Sequence, residues 1–279
     1  VPGCYPHPSS SLIRFQYLPV YAYFACMNKI AVITGATAGI GKACAEKFAA
    51  NQYNLIITGR RNDRLSALQT DLEKRYHIAV LPLCFDVQDK QAVDTAFGNL
   101  PQNWQSIDVL INNAGLALGR DSFEDADMAD WETMLNTNVH GLLYVSRALL
   151  PYMLRAKKGH IINLGSIAGK EVYEKGNVYC ASKFAVDAIT KSMRVDLLKH
   201  NIKVTGIHPG AVETEFSLVR FKGDEKTAGS VYNGLTPLKA EDIADTIWYC
   251  ASLPAHVCIN DLVITCTQQA GTYYFHKNQ

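Results

Sequence analysis

The sequence has no paired-cysteine signature. Its eight cysteines (Cys4, Cys26, Cys44, Cys84, Cys180, Cys250, Cys258 and Cys266) are scattered with no C-x-x-C among them. The close ligand pairs that a zinc site needs are therefore missing, and no metal is expected. Several cysteines sit in apolar runs, where a thiol behaves as a small hydrophobe, so reduced thiols in a cytoplasmic protein are expected. The sequence also lacks a charge of one sign: Lys plus Arg is 27 and Asp plus Glu is 26, a formal net charge of +1. Without a basic field to track a phosphate backbone, nucleic acid is not expected as a partner. No apolar stretch approaches the roughly 18 residues that cross a bilayer, so no membrane partner is expected either. Repeats and low-complexity segments are missing too, which removes collagen-like and coiled-coil readings.

What remains is a chain of 279 residues, 48% hydrophobic and 19% charged, long enough to bury a core without disulfide or metal support. Residues 1–26 stand apart, with four of the ten prolines, four tyrosines and one charge, Arg14. They read as a leader or extension of uncertain origin, with native translation starting at Met27; a lipidation-type signal ending at Cys26 is the alternative. Residues 27–279 read as one domain. Short apolar runs at 30–34, 55–58, 79–83, 109–112, 160–164, 203–207 and 262–266 suit parallel strands buried on both faces. Amphipathic patterns at 42–50, 63–76, 91–100, 128–155, 177–200 and 240–253 suit helices. This alternation predicts an α/β fold, a doubly wound parallel sheet of about seven strands with helices on both faces.

The first strand runs into Thr34-Gly-Ala-Thr-Ala-Gly-Ile-Gly41. Gly35, Gly39 and Gly41, with Thr37, Ala38 and Ile40 between them, permit a tight turn and a close approach to a pyrophosphate at the following helix N-terminus. The second strand ends in Arg60-Arg61 with no acid at the strand end, since Asp63 reads as the start of the next helix. An acidic side chain there would favour a free 2′-hydroxyl, whereas two guanidiniums favour a 2′-phosphate, so NADP is the expected cofactor. Ser166 follows the fifth strand, at the edge where such sheets bind ligands. Thirteen residues later, Tyr179 and Lys183 are four apart on one helical face, where an ammonium favours the phenolate of the tyrosine.

Thr34-Gly-x-x-x-Gly-x-Gly, Asn112-Asn-Ala-Gly115, Asn138, Ser166, Tyr179-x-x-x-Lys183 and Pro209-Gly210 occur in one order at one spacing. Together they resemble the short-chain dehydrogenase/reductase family over residues 29 to about 270, a Rossmann-like fold. The resemblance implies that Tyr179 is the general acid/base at the substrate oxygen and that Ser166 hydrogen-bonds the same oxygen. It further implies that Lys183 holds the nicotinamide ribose and lowers the Tyr179 pKa, while Asn138 anchors a water in the proton relay. Asp86 and Val87 would meet the adenine, and Asn113, Ala114 and Gly115 the cofactor ribose. Pro209, Gly210, Val212 and Thr214 would lie along the nicotinamide carboxamide. Two of these residues have a plainer reading as well: Asn112 as a tie between strands, Asn138 as a residue at a helix kink. His208 is assigned no role.

The segment 213–235 reads as a substrate lid. Thr214-Glu-Phe-Ser, Val219-Arg-Phe-Lys-Gly-Asp224, Asn113-Ala-Gly-Leu-Ala-Leu-Gly119 and Leu253-Pro-Ala-His-Val-Cys-Ile-Asn260 are similar to bacterial NADP-dependent 3-hydroxy acid dehydrogenases. That resemblance implies a small-molecule substrate: L-serine, L-allo-threonine, or the pair 3-hydroxypropionate and malonic semialdehyde. A carboxylate needs a cation near the reacting carbon, and Arg220 and Lys222 lie in the lid. Arg220 reads either as the carboxylate anchor or as a solvated lid charge. Two other functions stay open: reduction of a bulkier carbonyl (an acyl thioester, sugar or steroid), and a regulatory NADP-binding module without turnover. Small and apolar positions such as Ala181, Ala185 and Ala188 sit on helices that pair subunits in this family. The resemblance thus implies a homotetramer, a dimer of dimers, with the tail Tyr273–His276 able to contact a neighbour.

Overall fold

The structure, a computed structural model, describes residues 28–277, so the readings made on residues 1–27 lie outside the described residues. Seven strands alternate with helices: β1 (Ile30–Ile33), β2 (Asn54–Gly59), β3 (Val80–Cys84), β4 (Ile107–Asn112), β5 (Gly159–Leu164), β6 (Ile202–Pro209) and β7 (Asp261–Ile264). They form one sheet in the order β3-β2-β1-β4-β5-β6-β7, with every neighbouring pair parallel. The central strands are near-continuous Val, Ile and Leu because both of their faces are covered; Ala31, Val32, Ile33, Leu55, Ile56 and Ile57 have no exposed surface. The edges depart from that expectation. Along β3 burial falls from a buried Val80 to an exposed Cys84, and on β7 exposed and half-buried residues alternate with period 2, since each edge strand has only one neighbour.

One face carries α1 (Gly39–Ala50), α2 (Asn62–Tyr76) and α9 (Ala240–Ser252), whose Phe48, Leu65, Leu72, Ile243 and Ile247 close one core over the sheet. The other carries α3 (Lys90–Gly98), α5 (Leu142–Ala156) and α6 (Asn177–Leu197), packing Phe97, Val145, Leu149, Met153 and Leu197 into a second core. Two cores on one sheet make a single α/β domain. Among the described residues no helix is long and apolar enough to cross a membrane.

Two differences from the sequence reading matter for the site. The amphipathic pattern over 128–155 is not one helix. It is α4 (Met128–Leu135) and α5, joined by a π turn at Asn136–Gly141 that widens the helix by one residue around Asn138. The lid, for which the sequence reading set out no helix, folds into α7 (Glu215–Arg220) and α8 (Glu225–Ser230), capped by the side chains of Thr214 and Asp224.

Candidate active site

The order of the strands reverses between β1 and β4, and the crevice at their carboxyl ends opens into a cleft of about 1030 Å³. Its first half is built by the turn between β1 and α1. Gly35 and Gly39 hold φ of +66° and +50°, a region that side chains with a Cβ rarely adopt. A Cβ on Gly41 would collide with the Gly35 carbonyl. The N-cap of α1, Ala38, offers no side-chain cap and the first turn has no acid, so its backbone N–H groups are left for an external anion. Asn113 fastens the turn from below: its Nδ2 donates to the Thr34 and Gly35 carbonyls at 2.8 and 3.3 Å, and the Asn113 and Ala114 amides donate to Thr34 Oγ1.

At the far end of this half, Arg61 donates through Nε and Nη2 to Thr37 Oγ1 (3.2 and 2.9 Å) and pairs with Glu215 at 3.0 Å. Arg64, which sequence reasoning did not single out, meets the same carboxylate at 2.8 Å. Arg60 reaches Asp86 at 3.5 Å, and Val87 lines the same wall. A pyrophosphate at the uncapped turn and a ribose phosphate between Thr37 and the guanidiniums fit these residues. Pro209, Gly210, Val212 and Thr214 also line the cleft. Gln269 supports that segment: it is 5% exposed and accepts the Ala211 amide at 2.8 Å. A glutamine 58 residues away carries no local signal, so the sequence did not reveal it.

In the other half, Ser166 caps a short 3₁₀ turn after β5, accepting the Ala168 amide at 3.1 Å. Tyr179 and Lys183 lie in the first two turns of α6, 8% and 6% exposed. Burial pushes the Tyr179 phenol up, and Tyr173 adds to this, while the Ser166 hydroxyl and the Arg220 guanidinium pull it down. Burial lowers Lys183 from 10.5 to about 8. Its ammonium has no carboxylate partner among the described residues and donates to the Leu164 carbonyl at 2.9 Å. Asn138 is 2% exposed; its Nδ2 donates to Leu116 O (2.8 Å) and Ser182 Oγ (3.0 Å), and its Oδ1 accepts the Leu116 amide at 2.8 Å. Both amide protons are thus used, leaving one lone pair of Oδ1 for a further donor. Asn112 is the strand tie: it donates to Asn163 Oδ1 at 2.8 Å across the β4–β5 pair.

The lid closes over this half and separates two of its cations, Arg220 and Lys222. Lys222 turns outward to Asp130 at 2.9 Å. Arg220 turns inward: Nη1 donates to the Tyr173 hydroxyl at 2.8 Å, Nε donates to the Gly119 carbonyl at 3.2 Å, and the guanidinium lies 5.5 Å from the ring centres of both Tyr173 and Tyr179. Arg220 forms no ion pair with a described acid. Tyr173, which lies in no sequence motif, and Phe216 of Thr214-Glu-Phe-Ser, 5.8 Å from the Tyr179 ring, complete the wall.

Beneath the Ser166 loop, Asp187, His208 and Asp261 bring potential ligand atoms within 4.8 Å of one another. Lys170 bridges the two carboxylates at 2.9 and 2.7 Å and Lys191 meets Asp187 at 2.7 Å, so ammonium groups already answer both acids. This is an ion-pair network, with His208 held neutral by burial against it.

The chain matches the short chain dehydrogenase family over residues 29–224. It is 45% identical over 251 residues to the NADP-dependent 3-hydroxy acid dehydrogenase YdfG of Salmonella typhi, covering 89% of this chain and all of that protein. It is also 45% identical over 251 residues to sulfoacetaldehyde reductase 2 of Chromohalobacter salexigens, covering 89% of this chain and 98% of that one. The closed form of a serine dehydrogenase complexed with NADP+ superposes with a TM-score of 0.83 at 41% identity, covering 90% of this chain and all of that chain.

The state of Lys183 sets a stability prediction. The folded chain releases this proton near pH 8 and the unfolded chain near 10.5, so between those values the unfolded state holds more protons and stability rises with pH. At pH 7 the buried charge costs about 3 kcal/mol. Lys183→Met is expected to raise the denaturation midpoint at pH 7, by an amount that shrinks as pH passes from 8 to 10.5. A pH-independent difference between the two proteins would contradict the assignment.

Proposed function

This chain belongs to the short chain dehydrogenase family, and from that premise we propose that it is an NADP-dependent oxidoreductase of small 3-hydroxy acids. The observation that carries the reading is the convergence on one lid-covered space of Ser166, Tyr179 and Arg220, which has no acidic partner among the described residues. The substrate oxygen lies against Ser166 and Tyr179. Ser166 donates a hydrogen bond to it, and Tyr179 removes its proton in oxidation or returns it in reduction. Bound NADP supplies the hydride acceptor or donor for substrate carbon 3. Lys183 holds the cofactor ribose, and Asn138 holds a water for the proton leaving Tyr179. The glycine turn binds the pyrophosphate, and Arg60 and Arg61, joined by Arg64, bind the 2′-phosphate.

Arg220 anchors the substrate's anion. Its Nε and Nη1 are used by Gly119 and Tyr173, and Nη2 has no hydrogen bond among the described residues. A guanidinium accepts a sulfonate as readily as a carboxylate, and the likeness to a sulfoacetaldehyde reductase favours that second substrate class.

We also propose a homotetramer in the cytoplasm. Its support is the stripe of Ala181, Phe184 and Ala188 left exposed along α6, with Val195 and Leu198 beyond it. The six described cysteines are all free, which suits a reducing compartment. Light scattering on the purified protein is expected to give four times the 30.8 kDa chain mass; a monomer would contradict the assembly.

Turnover with NADP, against NAD, is expected for L-serine, L-allo-threonine, 3-hydroxypropionate and malonic semialdehyde, with sulfoacetaldehyde testing the second class. Activity confined to bulky neutral ketones would overturn the reading. Arg220→Ala is expected to raise KM for serine roughly ten- to a hundredfold, the loss of one charge-assisted pair of about 1.5–3 kcal/mol. The affinity for NADP should hold in that variant, and unchanged serine kinetics would remove Arg220 as anchor.

A further inference from the structure

Arg220 sits closer to Tyr179 than an anion anchor requires. A guanidinium that only met a substrate's carboxylate would need one free edge and open space before it. Here the group also lies against two aromatic rings, with Tyr173 and Tyr179 both centred 5.5 Å away. The position is over-determined. The Gly119 amide donates to the Arg220 carbonyl at 2.9 Å while Arg220 Nε donates back to the Gly119 carbonyl at 3.2 Å, and Nη1 donates to the Tyr173 hydroxyl at 2.8 Å. Reciprocal bonds of this kind hold the end of α7 against the loop after β4, so the cation reaches Tyr179 only while the lid is down.

Resting on the function proposed above, we propose that Arg220 is a positioning residue for proton transfer: the lid's guanidinium, seated between Tyr173 and Tyr179, stabilises the Tyr179 phenolate and makes that residue a competent base only beneath a closed lid. The groups facing Tyr179 are Tyr173 and Arg220 across the cleft, Ser166 from the loop after β5, and Cys180 and Lys183 on its own helix. Of the two cations, Lys183 has its ammonium 6.0 Å from the ring centre and donates to Leu164. Arg220 is the cation that works against the burial of the phenol. Cation over ring and cation beside phenolate are both attractive, and both strengthen where water is excluded.

The consequence is a coupling between closure and chemistry. An open lid takes the guanidinium away from the Tyr179 phenolate, so a proton is less readily drawn from a substrate before the site is sealed. In oxidation the proton passes from the substrate hydroxyl to the Tyr179 oxygen as the hydride leaves carbon 3 for bound NADP+. In reduction both return, and Arg220 exchanges no atom in either direction.

The test is an ultraviolet titration of tyrosinate absorbance in the presence of NADP+, taken as the difference between each protein and its Tyr179→Phe counterpart, which isolates one of fourteen tyrosines. Arg220→Gln is expected to raise the Tyr179 midpoint by about one to two pH units, as befits the loss of a charge 5–6 Å away in a poorly solvated site. Arg220→Lys, which keeps the charge, is expected to recover most of that shift. The limb of the kcat profile that rises with pH in serine oxidation is expected to move upward with the same variants. Coincident midpoints for the native chain and Arg220→Gln would overturn the proposal, as would an Arg220→Lys that behaves like the Gln variant. The titration needs no turnover, so it judges Arg220 even if every substrate of the proposed function is inert.

Discussion

An ammonium buried without a carboxylate is the constraint on which the rest of this cleft depends. Among the described residues Lys183 has only the Leu164 carbonyl at 2.9 Å to answer it, and the fold tolerates the charge because elements from three directions enclose it. β5 ends at Leu164 and supplies that carbonyl. The π turn pushes Asn138 inward until its amide spans Leu116 and Ser182, closing the neighbouring wall. α6 then carries Tyr179 one turn before the lysine. Such a site is costly to fold around and is pre-organised for moving a proton, a trade common where activity needs a destabilised group.

The lid is held by a different kind of force. Glu215 on Arg61 and Arg64, and Lys222 on Asp130, are pairs with at least one partner well exposed to screening solvent, so each is weak. Such contacts steady a helix and release it without a large barrier. The contacts of Arg220 with Gly119 and Tyr173 lie further inside and set where the lid comes to rest. Glu215 also joins the two ends of the site, because the guanidiniums it holds are those suited to a ribose phosphate. On the proposed reading, a ribose phosphate and the lid would therefore share these guanidiniums.

Much of this was legible in the sequence. The glycine turn, Ser166, Tyr179 and Lys183 show as motifs because local spacing alone decides their geometry. The central strands show because burial on both faces removes polar residues. The edge strands were harder: β7 stops at Ile264, short of the expected 266, because an edge strand loses its ladder once its single partner ends. The break at Asn136–Gly141 was invisible, since a π turn adds one residue without ending the amphipathic pattern. Tyr173, Gln269 and Arg64 were missed because each acts on a partner far away in sequence. Arg220 and Lys222, two residues apart in one lid, looked alike as charges; only the fold turned one inward and the other out.

The central claim is that one closed space brings together a proton-transferring tyrosine, a hydroxyl donor and an anion-binding guanidinium. A crystal structure of the Tyr179→Phe variant with NADP+ and 3-hydroxypropionate tests it most directly. The account predicts the substrate hydroxyl within hydrogen-bond distance of Ser166 and facing the edge of the substituted ring, with the carboxylate on Arg220 Nη2. A carboxylate seated elsewhere, with Arg220 still bound only to Gly119 and Tyr173, would contradict it.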